Sequence, residues 1–172
     1  KFKIILESFF FFFLFQSINR AFLFGDAVKV SFFLRSSKLI MAEECYFFLM
    51  ASMRKMRMNI PLDYTLDFFQ QLFQENVIDK GVSDVIIQFL VYRNSDDKLL
   101  SKSDVSFYFE VNEMNDVLSL QKDFEMDMIK EINVNNNLLS NIHVHCAENI
   151  YAEIYAKEND LDDVILLNPN KR

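Results

Sequence analysis

The sequence predicts an α+β fold: an antiparallel or mixed sheet carrying two helices, followed by the start of a second unit. Three observations predict it. Apolar residues alternate with polar ones, or run on unbroken, in several short segments, which is the pattern of strands. In longer stretches they recur every three or four residues, which is the pattern of helices. Hydrophobic residues make up 51% of a 172-residue chain, enough for an extensive core and too many for wholesale disorder.

The elements follow in order. Val28–Leu34 and Lys38–Met41 read as strands around a polar turn at Arg35-Ser36-Ser37. Ala42–Met56 reads as a helix, with Tyr46, Leu49, Met50, Met53 and Met56 on one stripe. Pro61 ends that element, because proline lacks the backbone donor and blocks continuation. A second helix is expected from Thr65 to Asp79, with Leu66, Phe69, Leu72 and Phe73 on its apolar side. Val85–Tyr92, nearly all apolar, is a buried strand, and Val105–Val111 alternates as another. Residues 112–122 lose all periodicity and read as a linker. Beyond it come a strand at Phe124–Ile132 with Phe124, Met126, Met128 and Ile132 on one face, a polar loop at Asn133–Asn137, a helix from Cys146 to Asn159 and a short strand at Val164–Leu167.

The N-terminus stands apart as a Phe-rich segment, residues 1–16. It begins with Lys1, as a fragment or a processed product would. The apolar run Ile4 to Phe15 is broken by Glu7 and Ser8 and is too short to cross a membrane. It has the outline of a secretion signal, but no small-x-small cleavage site follows in Gln16-Ser17-Ile18-Asn19-Arg20. Phe9–Phe13 reads as an edge or buried strand, or as degraded sequence.

Composition excludes several functions. The only glycines are Gly25 and Gly81, so glycine-rich phosphate loops are ruled out. Cys45 and Cys146 make no disulfide framework and fit a reducing compartment, which suggests a cytoplasmic protein. The net charge of −7 is divided unevenly: residues 1–60 carry +5 and residues 61–172 carry −12. That acidic majority argues against a nucleic-acid binder.

Several stretches together carry a family resemblance. They are Asn19-Arg20-Ala21-Phe22-Leu23-Phe24-Gly25-Asp26-Ala27; Tyr46 to Arg54 with Met56-Arg57-Met58-Asn59-Ile60-Pro61; Val91-Tyr92-Arg93-Asn94; Leu138-Leu139-Ser140; Ile154 to Asn159; and Ile165-Leu166-Leu167-Asn168. They resemble the class IV aminotransferases, the fold type IV pyridoxal-phosphate enzymes. These include branched-chain and D-amino-acid aminotransferases and aminodeoxychorismate lyases. The resemblance covers roughly residues 17–172. It implies a small domain over residues 17–111, the linker at 112–122, and the incomplete start of a large domain over 123–172. It also implies pyridoxal phosphate as cofactor, a small amino-acid or keto-acid substrate, and a homodimer.

The chemistry so implied needs a lysine for the Schiff base and for proton shuttling, a cation for the phosphate and a carboxylate for the pyridine nitrogen. The chain departs from the family at these positions. The phosphate-binding arginine falls on Phe48 and the histidine that precedes it on Cys45. The lysine falls on His143 counted from one side and on Ile142 counted from the other, and no lysine lies between Lys130 and Lys157. An imidazole is not a primary amine and forms no imine. The carboxylate and the rest of the phosphate loop belong to a part of the family that would follow Arg172. The expectation is a catalytically impaired relative, with a non-catalytic remnant or dimerising pseudoenzyme as the alternative.

Other groups carry less. His143-Val144-His145-Cys146 with Glu148 has metal-ligand residue types, but no second cluster completes a ligand set, so no metal is expected. Tyr92 and Arg93, at a strand end that in relatives approaches the substrate, are the candidate substrate residues. Arg54, Lys55 and Arg57 read as a solvated helix end favoured by the dipole, Met50, Met53, Met56 and Met58 as core filler, and neither cysteine has a base beside it.

Overall fold

The structure, a computed structural model, describes residues 20–94, 104–114, 123–134, 137–140, 142 and 147–170. The described residues fall in two compact units, one up to residue 114 and one from residue 123. The Phe-rich segment, all of the expected linker beyond Met114, His143, His145 and Cys146 lie outside them.

The first unit opens with a short helix, α1 (Arg20–Phe24), and β1 (Ala27–Arg35). There follow β2 (Lys38–Ile40), α2 (Ala42–Lys55), α3 (Leu66–Asn76), a single 3₁₀ turn at Ile78–Lys80, β3 (Val85–Arg93) and β4 (Val105–Glu113). The strands form one antiparallel sheet in the order β2-β1-β3-β4. Each expected strand and helix of this unit is present, with ends that differ by a few residues. β4 runs to Glu113, two residues into the segment read as linker, because Val111 and its neighbours stay in register with Ile87 and Val85.

Strand alternation sets the core. Val28, Val30, Phe32 and Leu34 of β1 and Val85, Ile87, Phe89 and Val91 of β3 are buried on one face. The register aligns them across the sheet, Phe32 with Ile87 and Val30 with Phe89. α3 drops Phe69 and Phe73 onto that face, and α2 contributes Leu49, Met50 and Met53. Thr65 caps α3 by accepting a hydrogen bond from the Phe68 N–H at 3.2 Å. The outcome is an aromatic core: Phe32 lies 4.9 Å from Phe73, and Phe69 5.3 Å edge-on from Phe89.

Glycine scarcity shows in the turns. Ser36 and Ser37 between β1 and β2 both have positive φ, 49° and 60°. Asn-Gly is the usual filling of such a turn. Long-range bonds hold it instead: Ser36 N–H donates to Asp84 Oδ1 and Ser37 N–H to the Ser83 carbonyl, both at 3.1 Å. Arg57 (φ 52°) closes α2 in the same left-handed conformation, with the Met58 N–H returned to the Met53 carbonyl at 2.9 Å.

Tyr64 is packed just before α3, buried against Phe69 and Phe107 and stacked on Phe68. Burial first, then the charge of Asp63, then Tyr92, pushes its phenol up to about 12. The folded state therefore holds Tyr64 neutral where the unfolded chain, with an ordinary value of 10.0, ionises. Above pH 10 the unfolded state binds fewer protons, so stability should fall as pH rises from 10 to 12. Urea midpoints measured across that window should show the fall, and Tyr64→Phe should flatten it. An equally steep fall in the variant would assign the effect to other groups.

The second unit is a β-α-β element: β5 (Met126–Asn133), α4 (Ala147–Glu158) and β6 (Asp163–Leu167), with the two strands parallel and adjacent. Its core is Ile129, Ile142, Ala152 and Ala156. Here the structure corrects the face read from the sequence. Phe124, Met126 and Met128 are exposed, and the buried residue of β5 is Ile129, of opposite parity. The helix decides this: the Tyr155 hydroxyl of α4 donates to Asp127 at 3.2 Å, so α4 covers the side that Asp127 shares with Ile129. Among the described residues no helix is long and apolar enough to cross a membrane.

Candidate functional site

At the far end of β3 the chain brings three segments together on one carboxylate. Asp26, between α1 and β1, is buried. Its Oδ2 accepts from Arg20 Nε at 2.8 Å and its Oδ1 from Arg93 Nη1. Arg93 Nη2 donates to the Met56 carbonyl at the end of α2. The site is thus built from the start of α1, the turn before β1, the end of β3 and the C-terminus of α2. The α2 carbonyl is one of the orphan acceptors every helix end leaves, and a guanidinium there is favoured by the helix dipole. Arg20 also lies 5.1 Å from the Phe24 ring centre, a cation–π contact. Arg93 Nε is buried and has no hydrogen-bond partner among the described residues.

Of the two candidate substrate residues, Arg93 is therefore engaged within the unit. Its side chain is 13% exposed, and the N–H groups that would fork onto a substrate carboxylate hold Asp26 and Met56. Tyr92, 6% exposed, lies on the opposite face of the sheet from the aromatic core, in register with Ala27 and Ser106. Burial pushes its phenol up, and a hydrogen bond with Ser106 opposes that rise. Sequence reasoning gave no role to Arg20 or Asp26, although both lie in the quoted Arg20–Asp26 stretch. An arginine six residues before an aspartate, around a turn at Gly25 (φ 62°), was the signal.

The same sheet face carries a shallow cavity of about 200 Å³ lined by Lys29, Gln88, Leu90, Tyr108 and Glu110. Its lining holds one cation and one carboxylate and offers no nucleophile activated by a base.

The remaining candidate positions fall as follows. Phe48, on α2, is half-exposed. It provides no donor and no charge for a phosphate. Cys45 donates to the Ser31 carbonyl at 3.3 Å, and burial, with Glu44 second, pushes its thiol up, away from thiolate chemistry. In the second unit, Ile142 is buried and its N–H closes a turn onto the Leu139 carbonyl at 2.9 Å. His143 lies outside the described residues. Lys130 is exposed on β5, and Lys157 is exposed on α4 with its ammonium on Glu153 at 2.8 Å. Both amines stand on the surface of the second unit. Among the described residues no group of three His, Cys, Asp or Glu side chains is placed to hold a metal ion.

No protein-family model matches the sequence, and no curated protein matches it. Solved structures do match the fold. A putative 4-amino-4-deoxychorismate lyase from Legionella pneumophila superposes with a TM-score of 0.73 at 20% identity, over 88% of this chain and 56% of its own. The branched-chain amino acid aminotransferase from Thermobaculum terrenum in PLP-form gives 0.67 at 18% identity, over 84% and 50%. The branched-chain amino acid aminotransferase of Escherichia coli gives 0.71 at 11% identity, over 89% and 54%. The chain spans about half the length of these structures. Its fold is that of the fold type IV pyridoxal-phosphate enzymes, as the quoted sequence stretches implied.

Proposed function

We propose that this chain is a class IV aminotransferase-like protein in which the cofactor chemistry of the fold is impaired. The family activity is pyridoxal-phosphate-dependent transamination of amino acids, or the related aminodeoxychorismate lyase reaction, on a small amino-acid or keto-acid substrate. One observation carries the impairment: the lysine position falls on buried Ile142 or on His143, and residues 131–156 contain no primary amine. Phe48 at the phosphate position supports it, since an aromatic ring cannot replace a guanidinium fork. Arg93 and Tyr92 then serve the architecture of the small domain before any substrate. A non-catalytic remnant that acts through association is the second reading, favoured by the exposed apolar residues Phe124, Met126, Met128, Ile150 and Ile154 of the second unit. Among the described residues nothing points to a nucleic-acid or membrane partner, and two cysteines with no disulfide framework in the sequence fit a cytoplasmic protein.

The test is a pyridoxal phosphate titration of the purified chain read by absorbance, followed by borohydride reduction and intact-mass measurement. No saturable absorbance change and no added mass are expected. One added cofactor mass on a single lysine would overturn the impairment and locate the replacement amine.

A further inference from the structure

β2 is the weakly held strand of the first unit. It is three residues long, pairs with β1, and contributes no buried residue to the core. The segment that carries it, residues 36–41, is bounded by left-handed residues: Ser36 and Ser37 at one end and Met41 (φ 52°) at the other. Beyond both ends the chain is anchored, by Leu34 of β1 and by Leu49, Met50 and Met53 of α2. Two short hinges thus flank a strand with little packing of its own, which is the composition of a segment that opens locally while the rest of the fold stays closed. What holds it comes from the entry of β3. Asp84 Oδ1 accepts from the Ser36 N–H at 3.1 Å, and Asp84 Oδ2 accepts from the Ser83 hydroxyl at 2.6 Å. The Asp84 carbonyl also accepts from the Met114 N–H at 3.3 Å, so the residue is fixed to the end of β4 by its backbone and reaches the β1–β2 turn with its side chain.

We propose that Asp84 is an acid-sensitive latch on β2: its ionised carboxylate holds the Ser36-Ser37 turn closed, and its protonation or replacement lets residues 36–41 open while β1, β3 and β4 stay paired. The charge matters because both bonds end on the carboxylate. A hydrogen bond to an ionised acceptor is roughly twice as strong as one to a neutral acceptor, and a protonated carboxyl keeps one good acceptor oxygen where the latch uses two. The Ser83 hydroxyl, then the Ser36 N–H, hold the Asp84 carboxyl below its ordinary value of 3.8; burial opposes them, and Arg35 at the end of β1 lowers it further. The other charged residues at the adjoining strand ends are Lys38, paired with Arg35 on β2, and Glu113, paired with Val85 on β4. A carboxyl depressed by folding stabilises the closed turn above pH 3.8, and that contribution is lost as pH falls through the lower folded value. The Ser37 N–H bond to the Ser83 carbonyl does not titrate, so the acid form is loosened at the turn and β2, with the sheet behind it intact.

The test is residue-resolved amide exchange on the full chain, expressed as protection factors so that the intrinsic pH dependence of exchange is removed. Lys38 and Ile40 report on β2, since they are the hydrogen-bonded partners of Arg35 and Phe33 across a two-residue turn. Ile87 and Phe89 report on the centre of the sheet. Between pH 7 and pH 3, Lys38 and Ile40 should lose protection roughly three- to tenfold, with Ile87 and Phe89 unchanged. Asp84→Asn supplies a neutral acceptor and should show the same loss at pH 7, with no further fall in acid. Protection of Lys38 and Ile40 that is equal at both pH values overturns the proposal. So does Asp84→Asn with β2 protection equal to wild type at pH 7, or with Ile87 and Phe89 weakened as much as β2, which would make Asp84 a support of the whole sheet. If the wild-type chain unfolds as a whole before pH 3, Asp84→Asn at pH 7 decides alone.

Discussion

Replacing Phe89 with alanine should destabilise the first unit by about 3–5 kcal/mol, the range for removing a large aromatic side chain from a packed core. Phe89 is fully buried at the centre of the sheet. Its ring contacts Phe32 and the two α3 rings Phe69 and Phe73, and it lies under Phe107 and Phe109 of β4. No neighbour can collapse into the space, because those on both sides are themselves ring-packed and β-sheet register fixes the backbone. Against a total stability of about 5–15 kcal/mol, the variant should lose a large share of its folded margin. Urea unfolding of Phe89→Ala beside Phe89→Leu checks this. A difference under about 1 kcal/mol from wild type would show that the core is not packed as described.

Replacing Asp26 with alanine should cost a comparable amount, about 3–5 kcal/mol, through a different mechanism. The carboxylate is the shared anion of Arg20 and Arg93, whose side chains are only 16% and 13% exposed. Its removal leaves two largely buried cations with no counter-charge and frees the tie between α1, β3 and the end of α2. Arg93→Met should cost less, since one cation and one anion remain. The Asp26→Ala, Arg93→Met double variant should be more stable than the sum of the two single losses predicts. Thermal and urea unfolding of the four proteins close that cycle, and strict additivity would show that the pair does not interact.

The fold was legible where periodicity is local. The alternation in Val28–Leu34 and Val105–Val111 and the three-and-four spacing in α2 and α3 located their elements because each buries one face against a neighbour in the same unit. It failed at β5, where Phe124, Met126 and Met128 have the pattern of a core face yet stand exposed. A strand's sequence shows that two faces differ, not which one a helix will cover. The candidate site was half legible. Arg93 was found from its position after a buried strand, but its partners are 67 residues earlier at Asp26 and 37 earlier at Met56, beyond any spacing rule. The readings of Phe48 and of Ile142 or His143 rest on the sequence resemblance alone.

The Ser36-Ser37 reversal has a kinetic meaning. A β-hairpin normally closes early because its turn is favourable on its own and its strands are neighbours in sequence. Here both turn residues sit in a conformation serine does not prefer, and the bonds that hold them come from Ser83 and Asp84, the latter 48 residues from Ser36. The β1–β2 ribbon therefore lacks a nucleus of its own. It should close only once the chain entering β3 has docked, so the order of assembly runs from the long-range pairing of β1 with β3 outward, and the shortest loop in the sheet is among the last to set.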